Sequence, residues 1–208
     1  MIGQEIITRF ELYVDDMSEL STAEELALVN KIYHKVCDDR DWEILKKEAS
    51  GTVDSTTTIT LPTDFSHIIE NFNYTDNSIS REMNAKPVVV FVDGSPYQVV
   101  NWSDRKQYDN TNNVCYVDVR NDQVVFPVAQ SSSATYSFDY KAVPDDLTLE
   151  TEPIFPERFQ HAIFHGMCVE DMVIQLFDKA RSYAAENQSL YTGYLRDMAM
   201  WNAKLQQY

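Results

Sequence analysis

The sequence predicts an α+β protein: a helical bundle formed by the N- and C-terminal segments, with an inserted antiparallel β-sandwich or barrel-like lobe. Apolar residues recur at helical spacing over roughly the first 50 residues and again over the last 60. Between them the period shifts to alternation, in a stretch rich in Thr, Val and Tyr and divided by turn residues. Neither helical arm carries enough apolar surface to hold a core alone, so the two ends are expected to pack on one another. The organisation that follows is a helical body from residues 1–50 and 145–208, with residues 51–144 as a β-rich insertion.

Gln4 to Tyr13 sets Ile6, Ile7 and Phe10 at helical spacing, with Val14 on the same stripe, and Asp15-Asp16 interrupts that first helix. Ser21 and Glu24 form a capping box ahead of Leu26, Val29, Tyr33, Val36 and Cys37, so a second helix runs to about residue 37. Asp38, Asp39 and Asp41 mark its break, and another turn or two carries Trp42, Ile44 and Leu45. From Gly51 the pattern is β. Thr52 to Leu61 alternates, and Leu61-Pro62-Thr63-Asp64-Phe65 makes a turn.

Val88–Val92 and Tyr97–Trp102 flank Asp93-Gly94-Ser95-Pro96 as a hairpin, and Val114–Val119 and Gln123–Phe126 flank Arg120-Asn121-Asp122 as a second. Asn110–Asn113 and Ser131–Ser133 read as loop tips. Ala134 to Ala142 places Tyr136, Phe138 and Tyr140 on one face, with Ser137, Asp139 and Lys141 on the other. Pro144 closes the β region. Pro153 and Pro156 precede a helix striped by Phe159, Ile163, Met167, Ile174 and Phe177, and Pro156 stands where a missing N–H costs nothing. After a bend near Asp178, a last helix spaces Tyr183, Leu190, Tyr194, Met198, Trp201 and Leu205 about one turn apart.

Charge and composition narrow the function. The net charge of −16 is spread evenly, at −6, −5 and −5 over residues 1–50, 51–144 and 145–208 (12 acids against 6 bases, 11 against 6, 10 against 5). A chain so poor in Lys and Arg is ill suited to gripping nucleic acid or an anionic membrane. An acidic wall could still surround DNA without holding it, and acidity for solubility alone is an equal reading. The three cysteines, Cys37, Cys115 and Cys168, are too few and too far apart for a disulfide framework or a Cys-rich zinc site. No segment reads as a signal peptide or a membrane span, so a soluble chain is expected.

Candidate chemistry is sparse, and no catalytic, cofactor-binding or metal-binding residue is assigned. His161 and His165 stand four apart on one helix face, the spacing of a metal-binding pair, with Glu157 one turn earlier. Ala162 occupies the position where a zinc protease motif has its Glu, so the pair reads as surface or interface histidine. Cys37 and His34 are neighbours on a helix, but no Asn or Asp is identifiably placed to orient the imidazole. Asp15-Asp16, Asp38-Asp39-Asp41 and Asp145-Asp146 could pair carboxylates or bind Mg²⁺; as helix-edge residues they are read as caps or solvated charges. Tyr97, Trp102, Tyr136, Phe138 and Tyr140 are read as core or protein interface, since a stacking platform would need basic companions. Five scattered glycines leave no phosphate loop.

The segments Phe10-Glu11-Leu12-Tyr13-Val14-Asp15-Asp16, Ser18 to Asn30 and Asp39-Arg40-Asp41-Trp42-Glu43-Ile44-Leu45-Lys46-Lys47 resemble the opening of head–tail connector (adaptor, neck ring) proteins of tailed bacteriophages, of the tail tubular protein A type. Leu61-Pro62-Thr63-Asp64-Phe65 matches the Leu-Pro-x-Asp-Phe turn that often follows there. Phe155-Pro156-Glu157-Arg158-Phe159-Gln160-His161-Ala162-Ile163 looks like their Pro-x-Arg-Phe-His helix start, with Gln160 as a departure. Tyr194, Leu195 and Met198 in the final helix also fit, while residues 66–143 match only in being strand-rich. The resemblance implies a non-enzymatic virion protein of the neck, assembled in the host cytoplasm. Such a protein forms a homo-oligomeric ring, often a dodecamer, that joins the portal protein to tail or neck proteins and lines the DNA channel. It implies no cofactor, no specific nucleic-acid binding and no membrane. A different phage structural or host-binding module, such as a tail-completion protein using the β-lobe, is the alternative.

Overall fold

The computed structural model describes residues 1–14, 20–54, 57–69, 88–174 and 180–206. It divides into two compact units, Met1–Leu45 with Pro144–Tyr208, and Lys46–Val143. The fold is α+β, with helices at both termini and a mixed, nearly closed barrel-like sheet between them in sequence.

The first unit holds α1 (Gly3–Val14), α2 (Thr22–Asp38), α3 (Glu157–Ile174) and α4 (Ala180–Leu205). Ile6, Ile7 and Phe10 of α1 are buried, as their spacing predicts. The first turn of α1 is tied to the segment ahead of α3: Gly3 N–H donates to Thr151 O and Gln4 N–H to Leu149 O, both at 3.0 Å. Helix α2 opens on the capping box, where Glu24 Oε2 accepts from Ser21 N–H at 2.8 Å and from Ser21 Oγ at 2.6 Å. One core joins Ile6, Phe10, Ile32, Val36 and Trp42 with Phe155, Ile163, Met167 and Met198. Asp15-Asp16, Phe177 and Asp178 lie outside the described residues.

Two expectations for this unit need correcting. The helical pattern read to residue 50 stops early, because a 3-10 turn at Glu43–Leu45 leads straight into a strand at Lys46. Pairing with a distant strand overrides the local pattern there. On α4 the buried face carries Asn187, Tyr191, Met198 and Asn202, while Leu190 and Leu205 are exposed. Tyr191 is drawn inward by Gly166 of α3, which leaves room for its ring.

The second unit contains β1 (Lys46–Asp54), β2 (Thr58–Thr60), β3 (Phe65–Ile68), β4 (Val89–Val92), β5 (Ser95–Val99), β6 (Val114–Asp118), β7 (Gln123–Val125) and β8 (Ser132–Ala142). Their order is β1-β8-β4-β5-β6-β7-β2, with β3 also on β8. Lys46 faces Lys141 and Gly51 faces Tyr136, so the entering and leaving strands run side by side. The β4–β5 hairpin turns on Asp93 (φ 47°) and Gly94 (φ 75°), the two positive angles a type I′ turn demands. Its loop is two residues shorter than read, and Pro96 lies in β5 opposite Phe91. The second hairpin, β6–β7, turns through residues 119–122, with Asp122 at φ 51°.

The lobe is not wholly antiparallel. Gln98 pairs with Val114 and Val99 with Cys115 in a parallel register. Strand β5 ends at Val99, and the segment beyond it winds into a 3-10 helix at Trp102–Tyr108, a crossover long enough to return the chain in the same direction. Ser132 and Ser133, read as loop tip, begin β8. Val53, Val90, Phe126, Phe138 and Tyr140 contribute to this unit's own core.

Candidate interaction face of the helical unit

Arg9, Leu12 and Tyr13 of α1 and His161, Phe164 and His165 of α3 line an open groove of about 480 Å³. Residues 9, 12 and 13 share a side of α1, and 161, 164 and 165 share a side of α3, by the three-and-four spacing of a helix. Arg9 Nη1 donates to His161 Nδ1 at 2.8 Å, and its guanidinium lies 5.9 Å from the Phe164 ring centre. Tyr13 meets Phe164 edge-on at 5.5 Å. Asn187 of α4 links the rest: its Nδ2 donates to Tyr13 Oη at 3.0 Å, and its Oδ1 lies 2.8 Å from His165 Nδ1. The His165 ring stacks on Tyr194 at 5.6 Å.

This geometry decides how the two histidines behave. His161 Nδ1 must accept from a guanidinium that is always charged, so the imidazole is neutral and its lone pair is taken. Burial, with the Arg9 and His165 charges beside it, holds the His161 pKa below the usual range against a weaker pull from Glu157. His165 presents Nδ1 to an amide oxygen, which makes that nitrogen the N–H donor. A metal held by the pair would cost the Arg9–His161 bond, since His161 carries its proton on Nε2 while Nδ1 accepts; the His165–Asn187 bond leaves the His165 Nε2 lone pair free. Among the described residues no three His, Cys, Asp or Glu converge as a metal site.

The remaining candidates are dispersed. Cys37 is fully buried, while the nearby His34 Nε2 meets Asp146 Oδ1 at 2.7 Å, a partner that sequence spacing does not reveal. Asp145-Asp146 lies in the extended segment before α3 and caps no helix. Asp38 and Asp39 stand at the carboxyl end of α2, where the dipole disfavours acids; Arg40 holds Asp39 through two bonds of 2.8 and 2.7 Å. Phe138 and Tyr140 are core, and Tyr97 meets Phe126 at 5.5 Å. Trp102 does have a basic companion, Arg105, 4.1 Å over its ring, which also donates to Trp102 O at 2.7 Å.

What does coincide is a set of structural anchors at the quoted motifs. Trp42 is fully buried, donates from Nε1 to Val36 O at 2.8 Å and meets Phe155 edge-on at 5.5 Å. Asn202 of α4 accepts from Glu43 N–H at 2.7 Å and donates to Asp41 O at 3.3 Å, fastening the end of the first arm. Asp64, in the Leu-Pro-Thr-Asp-Phe turn, accepts from Lys47 Nζ at 2.6 Å and Tyr140 Oη at 2.9 Å. Gln160, the departure from the family pattern, is buried and donates to Phe155 O at 3.1 Å.

Compared with protein-family models, the chain matches the SU10 adaptor protein over residues 1–208, its whole length. The chain belongs to the SU10 adaptor protein family. No curated protein matches it. Membership makes this chain a bacteriophage structural protein, a component of the virion that works by contacting other head and tail proteins. It points to a structural and not an enzymatic role. No helix among the described residues is long and apolar enough to cross a membrane.

Proposed function

We propose that this chain forms the neck ring that joins the portal to the tail and lines the channel for DNA. The observation that carries this reading is the family match over all 208 residues. Twelve subunits packed side by side through the helical unit would make the ring, with the β-unit reaching the tail. Heterologous contacts between identical subunits close into rings when the rotation between neighbours is a whole fraction of a turn. Such subunits assemble on a template when each pairwise contact is weak alone. The even acidity of the chain, −16 in all, would leave packaged DNA free to move.

The test is to mix the purified chain with purified portal and view the product by electron microscopy, with light scattering of the chain alone. A monomer or loose oligomer that becomes a ring on the portal supports the reading. A stable twelve-subunit ring in isolation counts against templated assembly, and a chain that never binds portal overturns the adaptor role.

A further inference from the structure

We propose that the groove of Arg9, Leu12 and Phe164 is the seat for helix α4 of a second copy of this chain. The inference rests on the ring reading above and names the surfaces that would meet. On the receiving side, Leu12 is 80 % exposed at the groove, off the buried Ile6–Ile7–Phe10 stripe of its helix. On the entering side, Leu190, Gly193, Asp197 and Met200 follow steps of three and four along α4, so they share one outward face. Leu190 is 42 % exposed and Met200 54 %.

Gly193 makes this face more than a scatter of apolar residues. A glycine in mid-helix weakens the helix relative to alanine. Here nothing among the described residues lies within 4 Å of where a β-carbon would stand, so packing inside the subunit does not require it. A side chain entering from another molecule would. Leu12 of the neighbour is the right size to fill the notch between Leu190 and Met200. Charge agrees: Arg9 stands in the groove as its cation, flanked by Glu5 and Glu157, and Asp197 is the acid in the middle of the α4 stripe, between Glu186 and Lys204. Asp197 Oδ1 has Arg196 Nε at 3.9 Å, a solvated pairing weak enough to be exchanged for Arg9.

The test exploits effects of opposite sign. Gly193→Ala should raise the melting temperature of the subunit yet weaken self-association roughly tenfold, because the notch is filled. Leu12→Asp should leave the melting temperature unchanged and produce the same loss. Asp197→Lys should weaken association, and adding Arg9→Glu should restore it. Sedimentation velocity over a concentration series measures association of the full chain, and native mass spectrometry of chain plus portal measures how many subunits load and how cooperatively. If Gly193→Ala or Leu12→Asp associates as the wild type does, the groove is not the contact. A wild type that neither self-associates nor loads cooperatively also overturns it. Portal loading unaffected by the variants would sink the groove and spare the adaptor role; groove-dependent self-association without portal binding would do the reverse.

Discussion

Gly166 stands where three helices meet. A β-carbon there would lie 2.5 Å from Ile32 Cγ2 and 3.2 Å from Tyr191 Cε2, inside the contact distance of both α2 and α4. Gly166→Ala should therefore destabilise the helical unit by about 1–3 kcal/mol through overpacking, despite the better helix propensity of alanine. Urea unfolding would register this as a lower midpoint, and an unchanged or higher midpoint would show that the helices can separate at no cost. His161 makes a second residue-scale prediction. Its folded pKa lies below the ordinary 6.5, so the unfolded chain takes up the proton more readily. The stabilising contribution of neutral His161 is present above that value and is lost as pH falls through the folded pKa. His161→Gln keeps an acceptor for Arg9 but cannot titrate, so the variant should gain on the wild type as the pH drops from 7.5 towards 5. A stability gap constant across that range would mean that His161 is not held neutral.

At the scale of elements, Asp64 fastens β1 and β8 where they enter and leave the β-unit. The Lys47 ammonium, then Tyr140 Oη, holds its carboxyl below the ordinary 3.8, and Val143 N–H donates to Asp64 O at 2.7 Å. Asp64→Asn keeps an acceptor for Tyr140 and loses the charge for Lys47, so at neutral pH it should cost about 0.5–1.5 kcal/mol, modest because Lys47 is solvated. A depressed carboxylate pKa stabilises above the ordinary value and fails as pH falls through the folded one, so the difference from wild type should close in acid below about pH 4. Denaturant titrations at pH 7 and pH 3 would check it; a difference as large at pH 3 as at pH 7 would rule out the ion pair. The elements also show where local pattern suffices. The capping box of α2 and the Asp93-Gly94 turn are legible because each is satisfied within four residues. The start of β1 at Lys46 and the parallel β5–β6 pair are not, because their partners lie roughly 95 and 16 residues away.

For the molecule as a whole, a chain of net charge −16 should show no measurable affinity for duplex DNA at physiological salt. Filter binding on the free chain and on portal-bound rings would check this, and tight binding in either form would refute a wall that only repels. Fold class and family were determined by the sequence alone, since period and turn chemistry are additive over short windows. The tertiary structure decided which side of each helix is used. Whether Leu190 or Tyr191 faces inward, which partner His161 and His34 find, and why Gly193 is left with an empty side depend on contacts between residues far apart in the sequence or on their absence. A helix of period 3.6 offers several adjacent stripes of similar apolarity, and only the neighbours it meets select one.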